Sequence, residues 1–243
     1  MVLSISCWAD EPIISVYDIN NNVQENTNPK RELTAYDGKL YYSYDDKGLG
    51  NELWVFDPKT GEDKLHLDIN VGTYGSSPKD LTIYNNKLYF TAYTSDTGRE
   101  LWTYDSTTNV TVLVKDLSSP EEIDQKIATA GPKHLLVHNE KLYFWRPTTD
   151  VYLWQLWRFN AHDESFSQVN DIEINMGIMF GGISVFKLAS YQDQLYYFEN
   201  VDAGAGGELN WLYKYDDTTN ISKRVESPTT EEKLIAYSYQ LVN

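Results

Sequence analysis

Apolar positions in this chain return in one register five times. The leucine pairs Leu33/Leu40, Leu81/Leu88, Leu135/Leu142, Leu188/Leu195 and Leu234/Leu241 are each seven residues apart, and successive pairs begin after 48, 54, 53 and 46 residues. Each first leucine opens a short run of the Leu-Thr-Ala-Tyr type: Leu33–Tyr36, Leu81–Tyr84, Leu135–His138, Leu188–Tyr191 and Leu234–Tyr237. Turn residues follow, among them Asp37-Gly38 and Asn85-Asn86, and then a run such as Lys39-Leu-Tyr-Tyr42 or Lys87-Leu-Tyr-Phe90. Alternating runs joined by two turn residues predict β-hairpins, and the near-continuous apolar second runs predict strands covered on both faces.

A third run is the clearest motif. It reads Glu52-Leu-Trp-Val-Phe-Asp57, Glu100-Leu-Trp-Thr-Tyr-Asp105, Gln155-Leu-Trp-Arg-Phe-Asn160 and, in drifted form, Trp211-Leu-Tyr-Lys-Tyr-Asp216. Its last residue lies 11 positions before Asp68, Asp116, Asp171 and Ser227, which predicts a constant tight turn into a fourth strand. Four strand-like runs in a repeat of roughly 40–55 residues predict one propeller blade per repeat. The expected fold is all-β: a five-bladed β-propeller with four antiparallel strands per blade, residues 1–243 forming a single domain. Leu234–Asn243 supplies only the first two strands of a blade, and Ile14-Ser-Val-Tyr-Asp18 resembles the fourth-strand runs. The closing blade is therefore expected to be shared between the N- and C-termini, which would pair edges that otherwise invite aggregation.

Composition narrows the function. Thirty-six acidic residues against 20 basic ones give a formal net charge of −16, a field that repels phosphate backbones and anionic lipid, so neither nucleic acid nor membrane insertion is expected. Met1–Asp10 lacks a basic segment followed by an apolar core, and reads as a strand rather than a signal peptide. Cys7 is the only cysteine, and His66, His134, His138 and His162 do not form a metal-ligand spacing, so no metal or cofactor is expected. Asp45-Asp46 and Asp96 read as solvated loop acids.

The Glu-Leu-Trp-x-x-Asp run, preceded by Gly-Asn or Gly-Arg and by a Lys-Leu-Tyr-Phe strand, resembles the ELW-x-x-D repeats of propeller-type proteins. The resemblance covers residues 29–118 well, 132–171 less closely and 185–227 weakly. Those repeats continue Asp-Gly-Thr, where this chain has Asp57-Pro-Lys-Thr, Asp105-Ser-Thr-Thr and Asp216-Asp-Thr-Thr. A fainter likeness to kelch repeats lacks their double glycine. The resemblance implies a fold and assigns no activity.

Repeated positions read as core. Trp54, Trp102 and Trp157 are expected to wedge between blades, and the Tyr36, Tyr84, His138, Tyr191 and Tyr237 column to pack near the hairpin turns. Function is expected where repeats differ. The constant turns define one face, whereas on the opposite face the spans from Asp68 to Leu81, Asp116 to Leu135 and Asp171 to Leu188 are 13, 19 and 17 residues. The candidate ligand-binding residues on that elaborated face are Arg146, Asp150, Tyr152 and Trp154 in one loop, Phe180 in the Met176-Gly-Ile-Met-Phe180 linker, and Asp202 and Glu208 in another loop. The first reading is a non-catalytic recognition module that binds a protein partner there. A second is carbohydrate binding, with Tyr152 or Trp154 stacking a sugar. A third is a glycoside hydrolase with Glu32 and Asp80 as a carboxylate pair at the channel mouth, where His134, Lys187 and Glu232/Lys233 also fall.

Overall fold

The computed structural model describes residues 33–117, 131–148, 153–175, 188–202 and 208–225. The strands expected over 1–20 and 234–243 lie outside them. Sixteen strands form four antiparallel four-stranded sheets among the described residues. The first sheet holds β1 (Leu33–Tyr36), β2 (Lys39–Asp46), β3 (Gly50–Asp57) and β4 (Glu62–Leu67). The second holds β5 (Lys79–Tyr84), β6 (Lys87–Thr94), β7 (Gly98–Asp105) and β8 (Val110–Lys115). The third holds β9 (Lys133–His138), β10 (Lys141–Pro147), β11 (Leu153–Asn160) and β12 (Ser165–Asn175). The fourth holds β13 (Leu188–Tyr191), β14 (Gln194–Asp202), β15 (Glu208–Asp216) and β16 (Ile221–Arg224). Strands within a sheet neighbour one another in chain order, and the first strands of successive sheets, β1, β5, β9 and β13, lie side by side along the inside.

Local chemistry explains the turns. Both central residues of every β1–β2 type hairpin have positive φ: Asp37 and Gly38, Asn85 and Asn86, Asn139 and Glu140, Gln192 and Asp193. This is the mirror-image turn whose twist matches that of its strands, and at Glu140 and Gln192 the strands impose it on residues that disfavour it. The third-to-fourth strand turn is equally regular. Asp57, Asp105, Asn160 and Asp216 each accept, through Oδ1, the amide two residues on, from Lys59, Thr107, His162 and Thr218 at 2.9–3.0 Å. The repeated Asp/Asn of the motif is an Asx turn.

The apolar core lies between sheets. Tyr36, Tyr41, Leu53 and Val55 pack on Leu88, Phe90, Ala92 and Tyr104 of the next sheet. Tyr84, Tyr89 and Leu101 pack on Leu142, Phe144 and Phe159, and Tyr143, Trp145 and Leu156 pack on Leu195, Tyr197 and Tyr215. The tryptophans of the motif are not the centre of these wedges. Leu53, Leu101 and Leu156 are fully buried, whereas Trp54, Trp102 and Trp157 are half-buried at the margins. Side chains alternate across a strand, so leucine faces the following sheet and its tryptophan neighbour the preceding one.

The tyrosine column binds one sheet to the next. Tyr36 Oη donates to the Asn86 carbonyl (2.9 Å) and accepts from the Ser106 amide (3.1 Å). One sheet on, Tyr84 Oη donates to the Glu140 carbonyl (2.7 Å) and accepts from the Ala161 amide (3.0 Å). His138 takes the third place, with Nδ1 2.8 Å from Ser190 Oγ, and there Lys141 Nζ also donates to Asp217 at 3.0 Å. The packing role expected for the column holds for these three residues, and each also carries polar contacts across the seam.

Two outcomes follow from this packing. Leu101→Ala should lower unfolding free energy by about 2–5 kcal/mol, and the half-buried Trp102→Ala should cost less, as read from denaturant midpoints. His66 lies edge-on to Tyr41 and Tyr104, with ring centroids 5.5 and 4.3 Å away, and burial, with Lys39 adding, pushes its imidazole down from 6.5 to about 4. Between those pH values the unfolded chain binds a proton that the folded chain refuses, so stability falls as pH drops through the window. His66→Phe should flatten that part of the stability–pH curve.

Candidate functional site

The glutamate of the motif organises the elaborated face. Glu52 is fully buried, and its carboxylate accepts the Ile69 amide (3.1 Å), the Asn70 amide (3.2 Å), the Ser76 amide (2.7 Å) and the Ser76 hydroxyl. All of these belong to the linker between the first two sheets. Burial pushes the Glu52 carboxyl up from its ordinary value, and these four donors act against that rise. The linker is fastened further by a parallel bridge between Asn51 and Gly75 and by amides of Ser77 and Tyr93 donating to Asn51 and Ser76 carbonyls at 2.8 Å. Gly75 has φ 64° and lies so close to the Asn51 backbone that a Cβ has no room. Gly131 lies against the Arg99 backbone in the next sheet, and fully buried Glu100 occupies the Glu52 register.

Clamped at both ends, the linker presents a loop. Asn70 Nδ2 donates to the Gly75 carbonyl (3.0 Å), while Asn70 Oδ1 accepts the Ser95 amide (3.2 Å). Residues 71–74 between these anchors are all exposed, with Val71 at 87% and Tyr74 at 91%. Tyr74 is the most exposed large apolar side chain among the described residues.

The same linker runs into the inner strands. Asp80 and His134, the second residues of β5 and β9, both have φ 56°, and the β5–β6 and β9–β10 registers shift beside them. The Asp80 carboxylate accepts the His134 backbone amide; burial pushes its carboxyl up, against the pull of that bond and of Arg99, Lys79 and Lys133. Lys133 Nζ lies 4.6 Å from the Trp154 ring centroid. Buried Arg99 donates through Nη1 to the Ser77 carbonyl (3.0 Å), the Thr91 carbonyl (3.4 Å) and the Thr91 hydroxyl (3.3 Å).

The residues expected to bind a ligand fall differently from their expected grouping. Arg146 and Trp154 are strand residues of β10 and β11, not members of one loop. Arg146 donates to the Leu117 carbonyl and lies over the Trp157 ring, and Trp154 is 2% exposed in the core between the third and fourth sheets. Asp202 and Glu208 also belong to strands, facing each other as the last pair of the β14–β15 ladder. The reason is common to all four: the second and third strands keep pairing as far as Pro147–Trp154 in the third sheet and Asp202–Glu208 in the fourth. Asp80 lies where expected, at the start of an inner strand. Glu32, Asp150, Tyr152 and Phe180 lie outside the described residues, as do Met176, Met179, Lys187 and Glu232/Lys233. Val71 and Tyr74 were not anticipated, because their linker is the shortest of the three compared. The available signal was two apolar residues within the Gly-punctuated run Asn70-Val-Gly-Thr-Tyr-Gly75.

Comparison with solved structures settles the fold. The chain is similar to the β-propeller domain of the trilobed protease from Pyrococcus furiosus, with a TM-score of 0.52 and 11% identity over 81% of this chain and 56% of that one. It is also similar to TolB from Acinetobacter baumannii, with a TM-score of 0.50 and 10% identity over 79% of this chain and 42% of that one. The fold is that of a β-propeller. The chain thus spans about half the length of the structures it matches. No protein-family model and no curated protein matches it.

Removing the Glu52 clamp should release the loop. Glu52→Ala leaves the buried Ser76 amide and the half-buried Ile69 and Asn70 amides without their acceptor and should cost on the order of 3 kcal/mol. Amide hydrogen exchange should accelerate at Ile69, Asn70 and Ser76 while the Tyr36 and Tyr84 contacts keep their protection.

Proposed function

We propose that this chain is a non-catalytic recognition module that docks a protein partner on its elaborated face, and that the Asn70–Gly75 loop is the principal contact. The observation that carries the reading is an exposed tyrosine and valine on a backbone that is already immobilised. A rigid aromatic anchor loses little entropy on binding, so more of its burial goes into affinity. Loops on a fixed scaffold are the usual place for such contacts. The buried clamp accounts for why exposed side chains sit on such a constrained backbone.

The repeat reading extends this proposal to the whole ring. We read the four sheets as four of five ELW-type blades, with the fifth assembled from the N- and C-terminal runs. Support comes from the two outer faces of the set. Tyr191 is 62% exposed where its counterparts Tyr36 and Tyr84 are 7% and 4%. At the other end, Leu40 and Phe56 are half-buried where Leu88, Leu142, Leu195 and Tyr215 are fully buried. A further blade carrying Leu234–Tyr237 and Ile14–Asp18 would cover both faces.

Two measurements check these statements. A photo-crosslinking residue at position 74 should capture a protein partner from the native source, while one at Ile83, exposed near the opposite face, should not; Tyr74→Ala should abolish capture of that partner with the melting temperature unchanged. Capture from Ile83 alone, or glycan-array binding that Tyr74→Ala removes, would overturn the docking reading. Cross-linking mass spectrometry should join residues 1–20 to residues 234–243 within one chain, and links confined to pairs between molecules would sink the shared blade.

A further inference from the structure

The inner mouth holds the least expected grouping in this acidic chain. Lys79 and Lys133 are the first residues of adjacent inner strands, and buried Arg99 stands beside them at the second residue of β7. In a chain with 36 acids and 20 bases, three cations meet one carboxylate, that of Asp80. No salt bridge within 4 Å joins any of the four to another among the described residues.

Arg99 is the informative member. All three of its hydrogen bonds leave from Nη1, so its Nε and Nη2 hydrogens have no acceptor among the described residues. The residue is only 8% exposed, and neither Nε nor Nη2 is among the buried unpaired atoms, so that edge is where the guanidinium meets solvent and can take an acceptor. Nε and Nη2 lie along one edge of the guanidinium, and the group that matches two parallel N–H donors is a carboxylate or another planar oxyanion. Lys133 is steadied over the Trp154 ring, and the left-handed backbone at Asp80 and His134 fixes the rim. These donors are set before any ligand arrives. Lys133 also behaves as a member of a cation cluster, since burial first, and Lys79 and Arg99 next, push its ammonium down from the ordinary lysine value.

We propose that Arg99, Lys133 and Lys79 form a carboxylate-binding mouth that receives one acidic side chain of the docked partner. The inference rests on the docking reading above for the identity of the ligand's carrier. Continuity favours it, because Tyr74 leads through Gly75, Ser76, Ser77 and Pro78 directly to Lys79. The overall field also selects. A polyacidic partner would be repelled by a net charge of −16, so the accepted acid is an isolated one on a neutral or basic surface. Asp80 offsets one cation and, through the His134 amide, ties the two inner strands together at the mouth.

The test is a titration of the isotopically labelled full chain followed by NMR, reading the Arg99 Nε–H and His134 amide signals. The probes are the capped tripeptide acetyl-Lys-Glu-Lys-amide, its glutamine counterpart, acetate and inorganic phosphate. The glutamate peptide should bind saturably, at least tenfold tighter than the glutamine peptide, and acetate should shift the same signals. Lys133→Gln and the exposed Lys79→Gln should each weaken the glutamate peptide at least fivefold with an unchanged melting temperature. Equal binding of the two peptides, no saturation, or affinity unchanged in both lysine variants would overturn the mouth. Phosphate binding tighter than the glutamate peptide would overturn its carboxylate character. Saturable peptide binding without crosslinking from position 74 would sink the docking reading alone, and crosslinking without peptide binding would sink only the mouth.

Discussion

A sheet that is apolar on both faces has one remedy, which is another sheet on each side. That constraint organises this protein. Leu53, Leu101 and Leu156 are fully buried because each faces the following sheet, and Leu88, Leu142 and Leu195 because each faces the preceding one. Burial at about 25 cal/mol per Å² favours closing such faces, but apolar contact has no direction and does not fix how far one sheet rotates on the next. The polar contacts supply that register. On the turn side, Tyr36 and Tyr84 each donate to a carbonyl and accept from an amide of the next sheet. On the other side, Glu52 gathers the linker with four donors.

These two kinds of fastening explain the division of the molecule into a regular side and a variable side. The tyrosine contacts engage backbone groups of tight turns, so the turns cannot change length without breaking them. The glutamate clamp grips only the ends of the linker. Whatever lies between Asn70 and Gly75 is free to differ, provided the two ends return to the same place. Tyr74 is exposed because the clamp needs nothing from it, and it is held because the clamp takes its neighbours.

Much of the fold was legible in the chain. The leucine register, the hairpin residues and the constant 11-residue interval place all sixteen described strands, because each reflects a local rule of turn or pleat. What escaped depends on relations between sheets. The motif's tryptophan is its most conspicuous letter, yet alternation gives the central place to leucine. Trp154 looked like a loop aromatic because nothing in a single strand tells that the hairpin ladder reaches as far as Pro147. Asp80 was visible as an inner-strand acid. Its company was not, since Lys79, Arg99 and Lys133 come from three strands of two sheets and meet only in three dimensions. Glu52 read as one letter of a repeat, and its role required knowing which backbone amides the linker leaves unpaired.

The third seam differs from the two before it. Where the first two are joined by neutral tyrosine hydroxyls, this one has His138 against Ser190, and Lys141 and Asn139 reaching Asp217 at 3.0 Å. Full charges are screened by dissolved ions in a way that phenol-to-amide contacts are not. Dissolved salt should therefore weaken the contact between the third and fourth sheets more than it weakens the two before it.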